Sequence, residues 1–223
     1  MTSSGAGGSP HAVSPLSRDA AVRYWDERHR LHGDLRSGGH IGLSEAANEI
    51  FYRVRLGKLL ELIGNLNAPN EPMFLLDAGC GKGRYSRELA ACGFCVDGID
   101  TSENAIALSR AAGGARFEVS SLAEWRSPTL YDVVISIDVL FHLMDDDDWA
   151  ASLHNLATLT RLGGQLIVSD EYRDDRRPAG NYIVHRPHES YAEVLGDQFH
   201  FLAFTPYRFR ENAVGFLQFS RVA

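Results

Sequence analysis

The sequence predicts an α/β fold: a single doubly wound, mostly parallel seven-stranded sheet with helices on both faces and an antiparallel edge strand. Three observations lead to this prediction. From residue 73 onward, short apolar segments alternate with helical ones, which is the pattern of successive βαβ units. Tyr131–Ile137 is apolar almost throughout, as expected of a strand covered on both faces. The last two apolar segments are separated by only a short polar stretch, which predicts an antiparallel pair at the sheet edge.

The region before this alternation is predicted to hold a tail and a lid. Residues 1–17 are rich in Gly, Ser and Pro and carry little apolar surface, which predicts a disordered tail. Residues 18–64 are predicted to form a helical lid or cap. Ser44 is a favourable N-cap for the longer helix of this lid, and Gly64 a favourable stop. The predicted elements of the lid are the helix Ala20–His32, the glycine-rich loop Gly33–Leu43 and a helix from Ser44 to about Ile63.

Residues 65–223 are predicted to form a Rossmann-like domain. Crossovers between parallel strands are right-handed, and ligands of such sheets bind at the carboxyl ends of the strands. The predicted strands are Phe74–Asp77, Phe94–Asp100, Ala115–Val119, Tyr131–Ile137, Gln165–Ser169, Phe199–Phe204 and Ala213–Arg221. The predicted helices are Arg84–Cys92, Asn104–Ala112, Asp147–Thr160 and Pro187–Leu195.

Composition narrows the classes of function. The chain has 223 residues, 44% hydrophobic and 23% charged, which suits one globular domain with a full core. A net charge of −7 disfavours a nucleic-acid partner, which would need basic residues to neutralise phosphates. No apolar run approaches the roughly 20 residues that span a bilayer. The odd cysteine count and the lack of a signal-like N-terminus predict a cytoplasmic protein with no membrane partner. Cys92 and Cys95 are interpreted as ordinary thiols.

The most informative stretch runs from Leu75 to Gly83, where a strand leads directly into a glycine-rich turn and a helix. Glycines permit positive φ and close approach of a ligand, and the helix N-terminus offers unpaired N–H groups. Arg84 occupies the third glycine position of the dinucleotide fingerprint, which disfavours an NAD-type ligand. Asp77 suits a cationic ligand group instead. Asp100 ends the second strand at the distance expected of an acid that binds ribose hydroxyls.

These motifs resemble those of the class I S-adenosylmethionine-dependent methyltransferases. LLDAGCGKGRYSRELA looks like motif I of that family, and VDGIDTSENAIALSRA looks like its ribose motif. YDVVISIDVLFHL is similar to motif IV, and LGGQLIVSDEY to the motif of the fifth strand. Together they cover roughly residues 73–172. The resemblance implies a Rossmann-like fold, S-adenosyl-L-methionine as cofactor, and methyl transfer as the reaction.

The resemblance also implies which residues hold the cofactor. Many relatives carry Asp at the Ser121 position, where it bonds the adenine amino group; here a backbone N–H is expected to take that role. Arg53, on the long lid helix, is a candidate partner for the cofactor carboxylate and is equally consistent with a surface charge. Tyr24 is a candidate for stacking on the cofactor or the acceptor. The full predicted cofactor set is Asp77, Gly79, Cys80, Gly81, Asp100, Thr101, Ser121, Leu122, Ile137, Arg53 and Tyr24.

Methyl transfer to a hydroxyl requires a base, and histidine is the usual choice near neutral pH. His142, just after the fourth strand, is the first candidate, although a structural role in the cofactor pocket is an open alternative. His185 and His188 follow the fifth strand and are further candidates, with helix-capping or surface roles as alternatives. The lid segment after Tyr24 is dense in aromatic, histidine and arginine residues, as expected of an ordered lid. The predicted acceptor-binding residues are Trp25, Arg36, His40, Asp138 and Asp170.

The function predicted from these observations is methyl transfer to a hydroxyl of a small molecule, such as a sugar or a natural-product intermediate. The Ile-Asp-Val-Leu sequence after the fourth strand argues against a nucleobase acceptor. No metal is predicted; a divalent cation between Asp138 and Asp170 is a less favoured alternative. An N-methyltransferase of a small amine or amino acid, and a non-catalytic cofactor-binding regulator, remain alternatives. A homodimer is a further prediction.

Overall fold

The computed structural model describes residues 14–64 and 72–223, except for the side chain of Asp34. Most of the predicted tail, and the predicted domain boundary at residue 65, lie outside the described residues. The end of the predicted tail has a defined place: the Leu16 amide donates to the Asn181 carbonyl at 2.9 Å. Ser17 then caps the first helix through its side chain. Leu16 and Ser17, at the end of the predicted tail, therefore contact the fold.

The main sheet has seven strands in the order β3-β2-β1-β4-β5-β9-β8. The first five are parallel, and β9 runs antiparallel to both β5 and β8. The predicted fold class and the antiparallel edge are confirmed. Two further strands, β6 and β7, form a separate ribbon that was not predicted. The strands are β1 Phe74–Ala78, β2 Cys95–Asp100, β3 Arg116–Val119, β4 Tyr131–Ser136, β5 Thr160–Glu171, β6 Arg177–Pro178, β7 Val184–His185, β8 Phe199–Pro206 and β9 Val214–Arg221.

Side-chain caps define where several helices begin. Ser44 accepts from the Ala47 amide at 3.2 Å, and Ser102 from the Ala105 amide at 3.0 Å. Such caps satisfy N–H groups that have no partner within the helix. The helices are α1 Arg18–Leu31, α2 Asp34–Gly38, α3 Glu45–Gly64, α4 Arg84–Ala91, α5 Glu103–Ala112, α6 Asp146–Leu159 and α7 His188–Leu195, with 3-10 turns at Leu140–His142 and Gly196–Gln198.

Two elements differ from the prediction. The predicted loop Gly33–Leu43 contains α2, because the Arg28 guanidinium donates to the carbonyls of Arg36 and Gly39 at 3.1 and 2.7 Å and holds this segment in a tight turn. Strand β5 starts at Thr160 rather than Gln165, since Thr160 pairs with Tyr131 of β4. Both differences come from contacts across the fold that the local pattern does not contain.

The core lies on both faces of the sheet. On one face α6 and α7 bury Trp149, Leu153 and Tyr191 against the strands. On the other, α3 and α4 bury Leu59 and Leu89. Each such buried apolar side chain contributes about 1.5–3 kcal/mol. This two-sided packing leaves the carboxyl ends of the parallel strands open to a ligand. Within the described ranges, no helix combines the length and the apolar character needed to cross a bilayer.

Candidate active site

A cavity of about 450 Å³ lies at the carboxyl ends of the parallel strands. Its walls come from the β1–α4 turn, the ends of β2 and β4, the lid helices α1 and α3, and the chain around the β6–β7 ribbon. This volume is within the usual range for a site that binds small molecules. The cavity is therefore placed where an α/β sheet binds its ligand.

The β1–α4 turn depends on glycine at two positions. Gly79 and Gly81 have φ of 83° and 52°, a left-handed conformation that other residues adopt with strain. A Cβ on Gly79 would lie 2.3 Å from a methyl carbon of Val139. The amides of Gly79 and Cys80 donate to the Ile99 carbonyl at 2.8 and 2.9 Å, which ties the turn to the end of β2.

Asp100 links this turn to the next helix. One carboxylate oxygen accepts from the Gly81 amide and the other from the Ser102 amide, both at 2.9 Å. A carboxylate has about four acceptor positions, so further hydrogen bonds to ribose hydroxyls are compatible with this geometry. Thr101, Ser121 and Leu122 line the same end of the cavity.

Asp77 is buried behind the turn. Its side chain accepts a hydrogen bond from the Ser86 hydroxyl at 2.6 Å, and burial raises the pKa of its carboxyl to about 6. A cationic group bound in the cavity would favour the charged form. Asp77 therefore suits the ammonium group of an amino-acid ligand.

Two arginines on α3 lie in opposite environments. The Arg53 side chain is 72% exposed and donates to Glu49 at 2.6 Å, and it does not line the cavity. Arg55 is 1% exposed, lines the cavity and pairs with Asp138. Its Nε and Nη2 atoms have no hydrogen-bond partner among the described residues. Side chains two residues apart on a helix point in directions about 200° apart around its axis. Only one of these two arginines can therefore face the cleft.

His142 lines the cavity in a defined tautomer. Its Nδ1 lies 2.7 Å from the Tyr182 carbonyl oxygen, which can only accept, so Nδ1 carries the proton and Nε2 keeps a lone pair. The ring borders the cavity, and the rest of it is covered by protein atoms. The centres of the His142 and Trp25 rings are 4.6 Å apart. This burial lowers the pKa of His142 to about 4. The imidazole is therefore neutral near pH 7.

His185 is a second imidazole in the cavity wall, and a buried carboxylate orients it. Its Nδ1 lies 2.6 Å from Asp170 Oδ1, while Tyr191 donates to the other Asp170 oxygen at 2.7 Å. Asp170 itself is fully buried behind the histidine and does not line the cavity. Phe141 packs between the two histidines, with ring centres 4.6 Å from His142 and 5.2 Å from His185.

Comparisons with known proteins agree with this geometry. A family model described as a methyltransferase domain matches residues 75–164. A ubiquinone biosynthesis O-methyltransferase of Caulobacter sp. (strain K31) is 33% identical over 158 residues, 67% of this chain and 58% of that protein. A second protein of the same name, from Nitrosomonas europaea, is 31% identical over 55% of this chain and 52% of its own.

The chain therefore carries a methyltransferase domain over residues 75–164, within the fold that S-adenosylmethionine-dependent methyltransferases of known structure share. It covers little more than half the length of these curated relatives.

Solved structures show the same fold for this methyltransferase. The magnesium protoporphyrin IX methyltransferase of Synechocystis PCC 6803, crystallised with S-adenosylmethionine, superposes with a TM-score of 0.67 at 23% identity, over 92% of this chain and 94% of that one. An N-methyltransferase of Bradyrhizobium japonicum WM9 with bound S-adenosyl-L-homocysteine gives a TM-score of 0.68 at 16% identity, over 90% and 98%. The predicted cofactor of the methyltransferase is confirmed by its family.

The residues of this methyltransferase fit that cofactor. The glycines of the turn leave a cradle that a Cβ on Gly79 would fill. Asp77 and Asp100 are available to an ammonium group and to ribose hydroxyls. The Arg55 guanidinium lines the cavity and packs against the rings of Phe51 and Tyr52, and its positive charge suits the cofactor carboxylate. Arg53, which the sequence analysis named for that carboxylate, does not line the cavity, whereas Arg55 does.

The remaining predicted residues divide between the cavity wall and its surroundings. Cys80, Ile137, Trp25, His40 and Asp138 line the cavity of the methyltransferase. Other predicted residues do not line it: Tyr24 packs on Tyr182 with ring centres 5.6 Å apart, His188 stacks on Tyr172 at 4.5 Å, and Arg36 is exposed. These three roles therefore have no geometric support.

Sequence reasoning missed His29 of α1, which follows Arg28 in the predicted lid. Both side chains are buried and both line the cavity, and His29 Nδ1 has no hydrogen-bond partner in the described part of the chain. A Cβ on Gly81 would lie 3.2 Å from the His29 ring, so this ring lies against the cofactor turn. Helical spacing from Trp25, at i+3 and i+4, was the signal that could have placed both on one face.

The Asp138 and Asp170 carboxylates have separate partners. Asp138 pairs with Arg55 and accepts from Tyr207 at 3.2 Å, whereas Asp170 contacts His185 and Tyr191. Among residues 14–64 and 72–223, no group of three or more His, Cys, Asp or Glu side chains is arranged to hold a metal ion. The structure thus offers no support for the metal alternative.

Proposed function

We propose that this methyltransferase transfers the methyl group of S-adenosylmethionine to an oxygen atom of a small hydroxylated molecule. The observation that carries the proposal is that the cofactor turn and two imidazoles, His142 and His185, line one cavity. A hydroxyl must lose its proton as it is methylated, whereas a neutral amine needs no base to react. The relatives named as O-methyltransferases support the same choice.

The residues of the cavity divide the work of binding. Asp77, Arg55 and Asp100 hold the ammonium, carboxylate and ribose groups of the cofactor. The bound cofactor supplies a methyl group that is made electrophilic by the adjacent positive sulfur. The lid residues Trp25 and His40 contact the acceptor and exclude water from the reacting atoms.

A two-stage experiment tests the proposal. Titration calorimetry with S-adenosyl-L-homocysteine first tests cofactor binding. The protein is then incubated with S-adenosylmethionine and a panel of phenols, sugars, hydroxy acids and primary amines, and products are detected by mass spectrometry. We expect methylated oxygen in at least one class of hydroxylated acceptor.

The matched control is Arg53→Met, which should retain wild-type turnover because Arg53 lies outside the cavity. Transfer confined to amines, and unaffected by replacing both His142 and His185 with glutamine, would instead favour an N-methyltransferase. Absence of any binding to the homocysteine product would refute the proposal at its first stage. The cytoplasmic location, the homodimer and the exclusion of nucleic acid stay predictions.

A further inference from the structure

We infer that His185, oriented by Asp170, is the group that takes the proton from the acceptor, and that His142 positions the acceptor through a neutral imidazole. The inference rests on the proposed function, because it concerns the proton released in oxygen methylation. It assigns different tasks to two of the histidines that the sequence offers as candidates, of which His142 was the first.

Asp170 is built to hold a negative charge beside His185. It is fully buried, and it accepts from the Tyr191 hydroxyl and from the Glu171 amide, both at 2.7 Å, in addition to its 2.6 Å contact with His185 Nδ1. Hydrogen-bond donors favour the ionised form of a carboxylate. An ionised carboxylate at Nδ1 fixes the tautomer and stabilises the imidazolium that forms when Nε2 takes a proton.

His142 has a different set of neighbours. Its Nδ1 partner is the neutral Tyr182 carbonyl, and the rings of Trp25, Phe141 and Tyr182 surround it. The charged groups that act on it are Asp138, which already pairs with Arg55, the cation of Arg28, and His185. An imidazolium at this position would gain no carboxylate partner, and burial would penalise its charge.

A second carboxylate, Glu171, lies near the other ring nitrogen of His185. Glu171 Oε1 lies 3.6 Å from His185 Nε2, beyond hydrogen-bond distance, and Glu171 pairs with both Arg173 and Arg177. Those two arginines offset the charge of Glu171, and Asp170 is the carboxylate at hydrogen-bond distance from His185. His185 therefore combines access to the cavity with stabilisation of its charged form.

The proton balance follows from this arrangement. The acceptor oxygen forms its bond to the methyl carbon, and the electron pair of the broken carbon–sulfur bond stays on sulfur. The acceptor O–H proton moves to His185 Nε2, while Nδ1 keeps its own proton, hydrogen-bonded to Asp170. Solvent takes the added proton after the product leaves.

Nuclear magnetic resonance of ring-15N-histidine-labelled protein with bound S-adenosyl-L-homocysteine tests the inference without an acceptor. Resonances are assigned with His142→Gln and His185→Gln. We expect His185 to bind a proton at least about tenfold more tightly than His142. Asp170→Asn should weaken proton binding at His185 about tenfold or more and leave His142 unchanged.

Tyr191→Phe provides a second variant that retains the carboxylate. Loss of one donor to Asp170 should increase the proton affinity of His185, which is the opposite direction to Asp170→Asn. Tighter proton binding at His142 than at His185, or a His185 titration that neither variant moves, would overturn the inference. Failure to bind the homocysteine product would refute the proposed function instead, so the two failures are distinguishable.

Steady-state kinetics with the best acceptor of the panel adds a functional measurement. Asp170→Asn should lower kcat about 100-fold and shift the acidic limb of its pH profile, whereas His142→Gln should chiefly raise KM for the acceptor. A 100-fold loss of kcat in His142→Gln with little change in Asp170→Asn would assign the proton to His142.

Discussion

The two halves of the cavity are built in different ways. The cofactor half comes from one compact stretch, the β1–α4 turn and the end of β2, and its contacts are mainly backbone amides on the Ile99 carbonyl and the Asp100 carboxylate. The rest of the cavity, including the partner proposed for the cofactor carboxylate, is assembled from side chains of α1, α3 and the segment around the β6–β7 ribbon, such as Arg28, Arg55 and His185.

This difference predicts which amino-acid substitutions each part of the cavity tolerates. The cofactor half depends on a particular main-chain conformation. Substitutions there should impair cofactor binding mainly at the positions where only glycine fits. The rest of the cavity depends on particular side chains, which are held by residues far away in the sequence. Single substitutions there should alter ligand binding or its pH dependence while the sheet remains folded.

The largest effect is expected at Gly79. Gly79→Ala combines a left-handed φ with a Cβ that would lie 2.3 Å from Val139, so the turn must move. We expect affinity for S-adenosyl-L-homocysteine to fall about 100-fold or more, equivalent to about 3 kcal/mol, as measured by calorimetry. Gly57→Ala is the control, because a Cβ at this α3 position meets nothing within 4 Å and should raise stability slightly. Equal affinities in both variants would contradict a backbone-built cofactor half.

The next effect distinguishes the two arginines of α3. Arg55→Met should raise the Kd for S-adenosyl-L-homocysteine about tenfold to 100-fold, since it removes a charged donor from the cavity. It should also lower thermal stability, because Asp138 loses its buried partner. Arg53→Met should change neither quantity measurably, because that side chain is exposed. If Arg53→Met has the larger effect on Kd, our placement of the carboxylate is wrong.

The free energy of unfolding should depend on pH in a way that reflects the burial of His142. Its pKa is about 4 in the folded chain against 6.5 for an ordinary histidine, so the unfolded state takes up its proton first. The stability associated with neutral His142 is complete above pH 6.5 and is lost as pH falls to about 4. The raised pKa of Asp77 has the opposite effect on stability as the pH falls. Because Asp77 is present in both the wild type and His142→Gln, its effect cancels when the two proteins are compared.

The measurement is therefore the difference in unfolding free energy between those two proteins, obtained by urea denaturation at a series of pH values. Between pH 7 and pH 4 the wild type should lose up to about 3 kcal/mol relative to His142→Gln. A difference that is constant with pH would show that His142 is not enclosed as described.

A smaller effect is expected where the lid contacts the sheet domain. Asp26 of α1 accepts from the Ser102 hydroxyl at 2.7 Å and from the Asn104 amide and side chain at 3.1 and 2.7 Å, at the start of α5. Asp26→Ala should cost about 1–2 kcal/mol of stability and weaken cofactor binding several-fold, because the lid is less firmly held. Glu27→Ala, which removes only an exposed ion pair with Arg30, is the control. Comparable losses in both variants would argue against a docked lid.

The sequence predicted the sheet well, and several residues that it assigned to the cofactor line the cavity, because the relevant signals are local. The alternation of apolar and helical segments predicted the succession of strands along the chain. Asp77, Gly79, Gly81 and Asp100 lie at the carboxyl ends of two consecutive strands, which are neighbours in the sheet. The part of the cavity that is built from side chains was predicted less well. Arg53 was favoured over Arg55, although Phe51, Arg55 and Leu59 share one face of α3 at i, i+4 and i+8.

By itself, then, the sequence determined the order of strands, the glycine turn and the acids at the strand ends, since backbone conformation and βαβ connectivity depend on neighbours along the chain. Only the tertiary structure decided which arginine enters the cleft, which histidine has a carboxylate behind it, and that residues 34–38 form a helix. The physical reason is that burial and charge pairing arise between segments far apart in the chain, such as Arg55 with Asp138, and no local pattern records such contacts.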